Sequence, residues 1–283
     1  MKKPFPIGGA TLALTFMVAG LQPHTALAKA KAQQEVNESY PLTSNGLVHI
    51  DNVNGKVRVT AWDRPEVQMH ALKRGDSQAA LDALKIEIVT KPDEVRIHTK
   101  YPNSKGKWFR SNSAEVDYEL KVPTRARLES AKNINGVIEL DGLEGPVDAS
   151  TVNGRLNAQG LASDATLESV NGMVEASFRS LQGVKSVSMK TVNGKVKLHL
   201  PADADANVSA KTVNGSIQGG PDLPAHKKWP VGVDLQGKLG KGGAHITAET
   251  VNGAIQISQS EKTAQNQHSG KSPAEPTKLE DDK

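Results

Sequence analysis

Ser150-Thr151-Val152-Asn153-Gly154-Arg155-Leu156-Asn157-Ala158 is followed by Glu168-Ser169-Val170-Asn171-Gly172-Met173-Val174-Glu175-Ala176 and then by Lys190-Thr191-Val192-Asn193-Gly194-Lys195-Val196-Lys197-Leu198. One frame runs through all three: a small polar residue, Val, Asn-Gly, a variable residue, an aliphatic. Asn-Gly preceded by Val or Ile occurs at Asn54, Asn135, Asn153, Asn171, Asn193, Asn214 and Asn252. From Asn135 onward the successive Asn residues are 18, 18, 22, 21 and 38 positions apart. Turn chemistry returning about every 20 residues is the mark of a repeat architecture.

Counting from each Asn exposes fixed columns. Three residues on stand Val57, Ile138, Leu156, Val174, Val196, Ile217 and Ile255, and two further on Val59, Leu140, Ala158, Ala176, Leu198, Gly219 and Ile257. Four before Asn stand Ile50, Ala131, Ala149, Leu167, Met189, Ala210 and Ala248. Two before it the residue is always small and polar: Asn52, Asn133, Thr151, Ser169, Thr191, Thr212, Thr250. The period within each arm is two, so both arms read as strands with one apolar face.

Two all-β architectures can use this pattern. In an antiparallel meander, each Asn-Gly closes a two-residue hairpin. In a single-stranded β-solenoid, or β-helix, each repeat of about 20 residues is one rung and Asn-Gly is its corner. About 18 residues at roughly 3.3 Å each give a circuit near 60 Å, enough for three short faces. Uniform columns that would stack rung on rung favour the solenoid, with the Asn side chains satisfying one another along a ladder. Gly would then supply a left-handed corner without a Cβ penalty. The Val or Ile before Asn is out of phase with the inward set; either it covers the outer corner or a bulge turns it inward. The long interval from Asn214 to Asn252 reads as one rung broken by a loop.

The remainder organises around the repeats. Residues 1–28 read as a signal peptide, with Lys2 and Lys3, an apolar run over 7–21 and the small-residue site Ala26-Leu27-Ala28. Residues 29–43 read as a flexible segment, 44–125 as an N-terminal strand and cap region, 126–258 as the Asn-Gly solenoid, and 259–283 as a disordered polar tail. Within the cap, Asp76 could start a helix running to Leu84, with strands at 85–89, 94–101 and 114–122. Without its leader the chain carries 33 basic residues (35 less Lys2 and Lys3) against 31 acidic ones, a balance that favours no nucleic acid. It has no cysteine, hence no disulfide or thiolate metal site. Aromatics are scarce, which suits a narrow aliphatic core.

Three features resemble the bacterial "putative adhesin" family of exported β-strand-repeat proteins, a domain family of unknown function. They are Val53-Asn54-Gly55-Lys56-Val57-Arg58-Val59 with Ala61-Trp62-Asp63-Arg64-Pro65-Glu66-Val67, the strand end Leu120-Lys121-Val122-Pro123, and the serial Thr/Ser-Val-Asn-Gly run. The resemblance spans roughly residues 44–258. It implies a β-helical extracytoplasmic protein without a known catalytic centre.

Motifs for chemistry are sparse. The histidines at 49, 70, 98, 199, 226, 245 and 268 show no metal-ligand spacing. Asp203, Asp205 and Asn207 mimic the start of a calcium loop, but Val208 stands where Gly is required. The carboxylate pairs Glu139 with Asp141 and Asp148 with Asp164 could suit a glycan-cleaving enzyme by analogy of fold. Two loops place basic residues beside Trp: Lys107, Trp108, Phe109 and Arg110, and Lys227, Lys228 and Trp229. These are the candidate contacts for a ligand or partner, an envelope glycan or an envelope protein. The expectation is an exported, non-enzymatic adhesion, binding or scaffold module of the cell envelope, needing no cofactor and carrying no transmembrane segment in its mature chain. The alternatives are a structural or regulatory protein paired with a membrane partner, and a polysaccharide-cleaving β-helix enzyme.

Overall fold

Alternation along both arms of each repeat puts every second side chain inward, and the inward columns are the ones the sequence marks. The residues four before Asn and three after it are all buried, as are those two before it. The apolar columns of both arms lie in one hydrophobic cluster that also takes in the N-terminal strands. The computed structural model describes residues 32–101, 114–227 and 231–260. The leader read at 1–28 and nearly all of the tail read at 259–283 lie outside those residues.

The chain is all-β, in two large mixed sheets. The arm leading into each Asn-Gly joins one sheet and the arm leaving it joins the other, so the step links two sheets and closes no hairpin. Leading strands Arg127–Asn135, Val147–Asn153, Ala165–Asn171 and Ser186–Asn193 pair side by side in parallel, Asn opposite Asn. Trailing strands Ile138–Asp141, Leu156–Leu161, Val174–Phe178 and Val196–Leu200 do the same in the second sheet. The antiparallel meander therefore does not describe the repeats. Nor do the strands make three faces: each repeat contributes one strand to each of two sheets.

At the corners the backbones touch. A Cβ on Gly154 would overlap the Gly136 carbonyl oxygen, one on Gly172 that of Gly154, and one on Gly194 that of Gly172. This corrects the expected reason for glycine. Gly55 (φ 116°) and Gly136 (φ 137°) occupy the left-handed region, whereas Gly154, Gly172, Gly194 and Gly215 do not. What these four share with the others is a neighbouring carbonyl where a side chain would begin.

Around that contact the polar groups satisfy one another. Six of the seven Asn carboxamides donate to a neighbour: Asn135 to Asn54 (2.8 Å), Asn153 to Asn135 (3.0 Å), Asn171 to Asn153 (3.0 Å), Asn193 to Asn171 (2.9 Å), Asn252 to Asn193 (2.9 Å) and Asn214 to Asn252 (2.9 Å). The small polar column is buried because it serves the same corner. Ser169 donates to Gly154 O, Thr191 to Gly172 O, Thr250 to Gly194 O and Thr212 to Gly253 O, at 3.0–3.3 Å. Thr151 Oγ1 alone of these hydroxyls is buried without a partner.

The ladder order is not the chain order. Strand Ala244–Asn252, last among the leading arms, pairs with Ser186–Asn193 on one side and Ala206–Asn214 on the other. Its trailing arm Ile255–Gln259 likewise lies between Val196–Leu200 and Ile217–Gln218. The interval 214–252 is thus not a broken rung. After Gln218 the chain runs outward, and Val233–Leu239 pairs antiparallel with the outer side of Ala206–Asn214. It then crosses beneath that strand through Gly240-Lys241-Gly242-Gly243, where Asp205 Oδ1 accepts from Lys241 N at 2.6 Å.

The N-terminal end is closed differently. Leu47–Asp51 and Val57–Trp62 stack on the Asn135 repeat, and Glu94–Lys100 with Ala114–Pro123 adds a parallel layer lacking Asn-Gly. Antiparallel strands follow, with Lys85–Lys91 at the edge of one sheet and Glu66–Gly75 then Ala32–Pro41 at the edge of the other. Residues 29–43, read as flexible, therefore contain a ten-residue strand. A short helix, Gln78–Ala83, is capped by Ser77 rather than by Asp76. Tyr101 closes the ladder: its hydroxyl accepts from Asn54 N at 3.1 Å, and burial raises its pKa to about 12.

Replacing Gly194 with Val should lower stability by roughly 1–3 kcal/mol or more, because two packed backbones must separate. Gly220→Ala, where a Cβ meets nothing, should leave the melting temperature unmoved. Equal behaviour of the two variants in thermal melts would refute the stacking account. Asn171→Ala removes two ladder bonds and Asn214→Ala one, so urea titration should show about twice the loss for the former, at about 0.5–1.5 kcal/mol per bond.

Candidate interaction face

The outward side of the leading sheet is as regular as its core. The residue before Asn points to solvent there in six of the seven repeats, which settles the question the sequence left open; Val53, before Asn54, is half-buried. In ladder order these are Ile134, Val152, Val170, Val192, Val251 and Val213, each 39–49% exposed. Strands about 4.8 Å apart make this a straight aliphatic stripe about 24 Å long. It lies in a shallow groove of about 760 Å³. Six β-branched side chains in an unbroken row differ from scattered surface valines, which need no explanation.

Beside the stripe runs a charged row. Registry places Lys132, Ser150, Glu168, Lys190, Glu249 and Lys211 on consecutive strands. Chain order alone would set Lys190 directly against Lys211, a destabilising like-charge pair. The inserted strand brings Glu249 between them, and Lys190 Nζ stands 3.7 Å from its carboxylate. On the other flank runs the Asn ladder. The face thus consists of apolar, charged and amide rows, all held by backbone that is hydrogen-bonded on both sides.

The candidates drawn from the sequence fare unevenly. Lys107, Trp108, Phe109, Arg110, Lys228 and Trp229 lie outside the described residues. Lys227 is exposed at the end of the short strand Ala225–Lys227, away from the stripe's lining. The stripe itself is legible as an out-of-phase Val or Ile before Asn, but only the sheet geometry fixes its outward direction.

Glu139, Asp164 and Asp205 each have a structural role. Glu139 sits 2.8 Å from Lys56 and 2.7 Å from Arg58. Burial pushes its pKa up, but the two cations outweigh that and hold it below the usual range. Asp164 Oδ1 accepts from the main chain at Lys185 (2.6 Å) and Ser186 (3.1 Å), fixing a turn. Its proposed companion Asp148 is shifted upward, by burial first and then by Glu168. Asp205 caps the crossover loop described above. Ser258 and His199 are register partners on the outer face of the trailing sheet, with Oγ to Nδ1 at 2.6 Å, and His199 Nε2 lies 3.6 Å from the Glu175 carboxylate, which is opposite Lys197. Among the described residues no three His, Asp or Glu side chains are grouped to hold a metal, and no helix is long and apolar enough to cross a membrane.

His49 Nε2 lies 3.4 Å from Glu94 and 3.6 Å from Glu129. Even so, burial, aided by Arg96, lowers its pKa below the ordinary 6.5, outweighing Glu129, Glu94 and Asp51. The folded state therefore binds this proton less readily than the unfolded one, and the associated stability is present above pH 6.5 and lost as pH falls below it. The ring signals in an NMR titration should show a midpoint under 6.5. A midpoint at or above that value would show the carboxylates dominating.

No family model matches this chain, and no curated protein does. Solved structures show likenesses at low identity. A "putative cell adhesion protein" from Clostridium sporogenes superposes with a TM-score of 0.48 at 13% identity, over 80% of this chain and 100% of the other. A "putative adhesin" from Bacteroides fragilis gives 0.38 at 14% identity, over 80% and 97%. A "putative lipid binding protein" from Parabacteroides distasonis gives 0.31 at 10% identity, over 83% and 98%.

Proposed function

We propose that this chain is a non-enzymatic, exported β-solenoid of the "putative adhesin" type, and that it serves as a binding or scaffold module of the cell envelope. Its contact face is the aliphatic stripe of the leading sheet, and its partner is an envelope protein that lays an apolar ridge along it. The stacked corners and in-register parallel arms support the solenoid reading. The basic start, apolar run and small-residue site at 1–28 support export.

The stripe carries the functional reading. A contiguous apolar row framed by polar ones is how protein contact surfaces differ from ordinary surface. Its aliphatic character favours a protein over a glycan, since sugars and bases are gripped by stacking on aromatic rings. The row of alternating charges beside it supplies register, because a partner shifted by one strand would meet like charges. A glycan-cleaving role is the weaker reading: Glu139 and Asp164, one from each suggested carboxylate pair, are engaged with cations or main-chain amides.

Changing Val170 and Val192 to Lys places two charges in the stripe without touching the core. Retention of the purified chain on native envelope material should fall at least tenfold, with the melting temperature within about 2 °C of wild type because surface changes cost little. A photo-crosslinker at Val192 should form a discrete protein adduct that is absent when the same group is placed at Ser177 on the other sheet. Undiminished retention of the double variant would sink the assignment of this face.

A further inference from the structure

An Asn-Gly peptide contains a reaction of its own. The glycine amide nitrogen can attack the asparagine Cγ, forming an N–Cγ bond and breaking Cγ–Nδ2. Ammonia leaves with the proton that the amide gives up, and a succinimide remains. Water then opens the ring at either carbonyl, giving aspartate or isoaspartate. The attack needs a free glycine N–H and a carboxamide able to rotate toward it, and the ladder restrains both.

Six of the seven corner glycines donate that N–H to the Asn carbonyl of the next repeat. The pairs are Gly55 to Asn135 (3.1 Å), Gly136 to Asn153 (3.1 Å), Gly154 to Asn171 (3.1 Å), Gly172 to Asn193 (3.0 Å), Gly194 to Asn252 (3.1 Å) and Gly253 to Asn214 (3.0 Å). At Asn135, Asn153, Asn171, Asn193 and Asn252 the carboxamide is also held on both sides, donating through Nδ2 and accepting through Oδ1. Asn54, at the closed end, accepts from Asn135 and has its own backbone bound to Tyr101.

Asn214 differs because the inserted Asn252 repeat leaves it last in the ladder. Among the described residues nothing accepts from Gly215 N or donates to Asn214 Oδ1; the side chain keeps only its bond to Asn252. We propose that Asn214-Gly215 is a built-in deamidation site, the one corner whose reacting atoms are left free among the described residues. The stacking that protects the rest of the series ends here, so the chemistry marks molecular age at one defined end. Isoaspartate there would insert a methylene into the main chain and put a carboxylate where Asn252 Oδ1 now receives a hydrogen bond. The Asn45-Gly46 pair belongs to a separate turn, with Gly46 N bonded to Thr43 O, and is not part of the ladder.

Each hydrogen bond that must break changes the reactive population by about 2- to 12-fold. An interior corner has two more to break than Asn214, so the ratio should be about 30-fold. The full chain would be held folded in warm, mildly alkaline buffer and mapped by mass spectrometry for aspartate and isoaspartate. Early product should concentrate at Asn214, about 30-fold ahead of Asn153, Asn171 and Asn193. In concentrated urea the seven sites should converge to within a few-fold, since Gly follows each Asn. Asn214→Gln, whose longer side chain closes the ring poorly, should abolish the early product in folded protein. Equal rates at Asn214 and the interior corners in the folded chain would overturn the proposal, as would early product persisting elsewhere in Asn214→Gln.

Discussion

Neighbouring repeats approach so closely at the corner that the carbonyl oxygen of one glycine occupies the space where the next would carry a Cβ. Everything regular in this structure depends on that contact. It aligns Asn with Asn, so the carboxamides can pass hydrogen bonds along a ladder, and it turns the glycine carbonyl toward the Ser or Thr of the adjoining repeat. A side chain there would part the backbones and disconnect the amide row, the hydroxyl row and the strand pairing together. Glycine is therefore required by proximity more than by torsion angle.

The same contact explains why polar residues line part of the interior. Burying an unpaired hydroxyl or amide is costly, yet the hydroxyls of this column donate to a carbonyl at a fixed offset, Thr151 excepted, and so do the Nδ2 groups of Asn52 and Asn133, whose Oδ1 atoms stay unpartnered. The core proper is correspondingly thin and aliphatic. Ala131, Ala149, Ala210 and Ala248 share a column with Ile50, Leu167 and Met189, so the width between the sheets is shared out repeat by repeat. With few aromatics the fold draws cohesion from in-register hydrogen bonding as much as from large buried side chains.

A protein held this way presents a ruled surface. Any residue type repeated at one offset becomes a row, and the Val or Ile before Asn becomes the apolar stripe that the functional reading rests on. The segments with Lys107 to Arg110 and with Lys228 and Trp229 stand out in the sequence because they set aromatic beside basic residues. The out-of-phase Val or Ile before Asn is visible in the sequence as well, but each looks ordinary until six are aligned on parallel strands. The carboxylate pairs were visible too, but their roles as ion-pair partner and turn cap depend on Lys56, Arg58, Lys185 and Ser186, which sequence distance does not connect.

By itself the sequence determined the two arms of each repeat, their inward columns and the corner position, since these follow from period-two alternation and the fixed offset from Asn-Gly; the amide ladder needed the tertiary structure, which chose parallel stacking over hairpins. The order of the repeats was decided only by tertiary structure. Every repeat carries the same Asn, Gly, small polar and aliphatic columns, so any stacking sequence would satisfy them almost equally. What breaks the degeneracy is the antiparallel return of Val233–Leu239, the glycine crossover under Asp205, and the gain from placing Glu249 between Lys190 and Lys211. These are contacts between distant segments, and they leave no periodic trace along the chain.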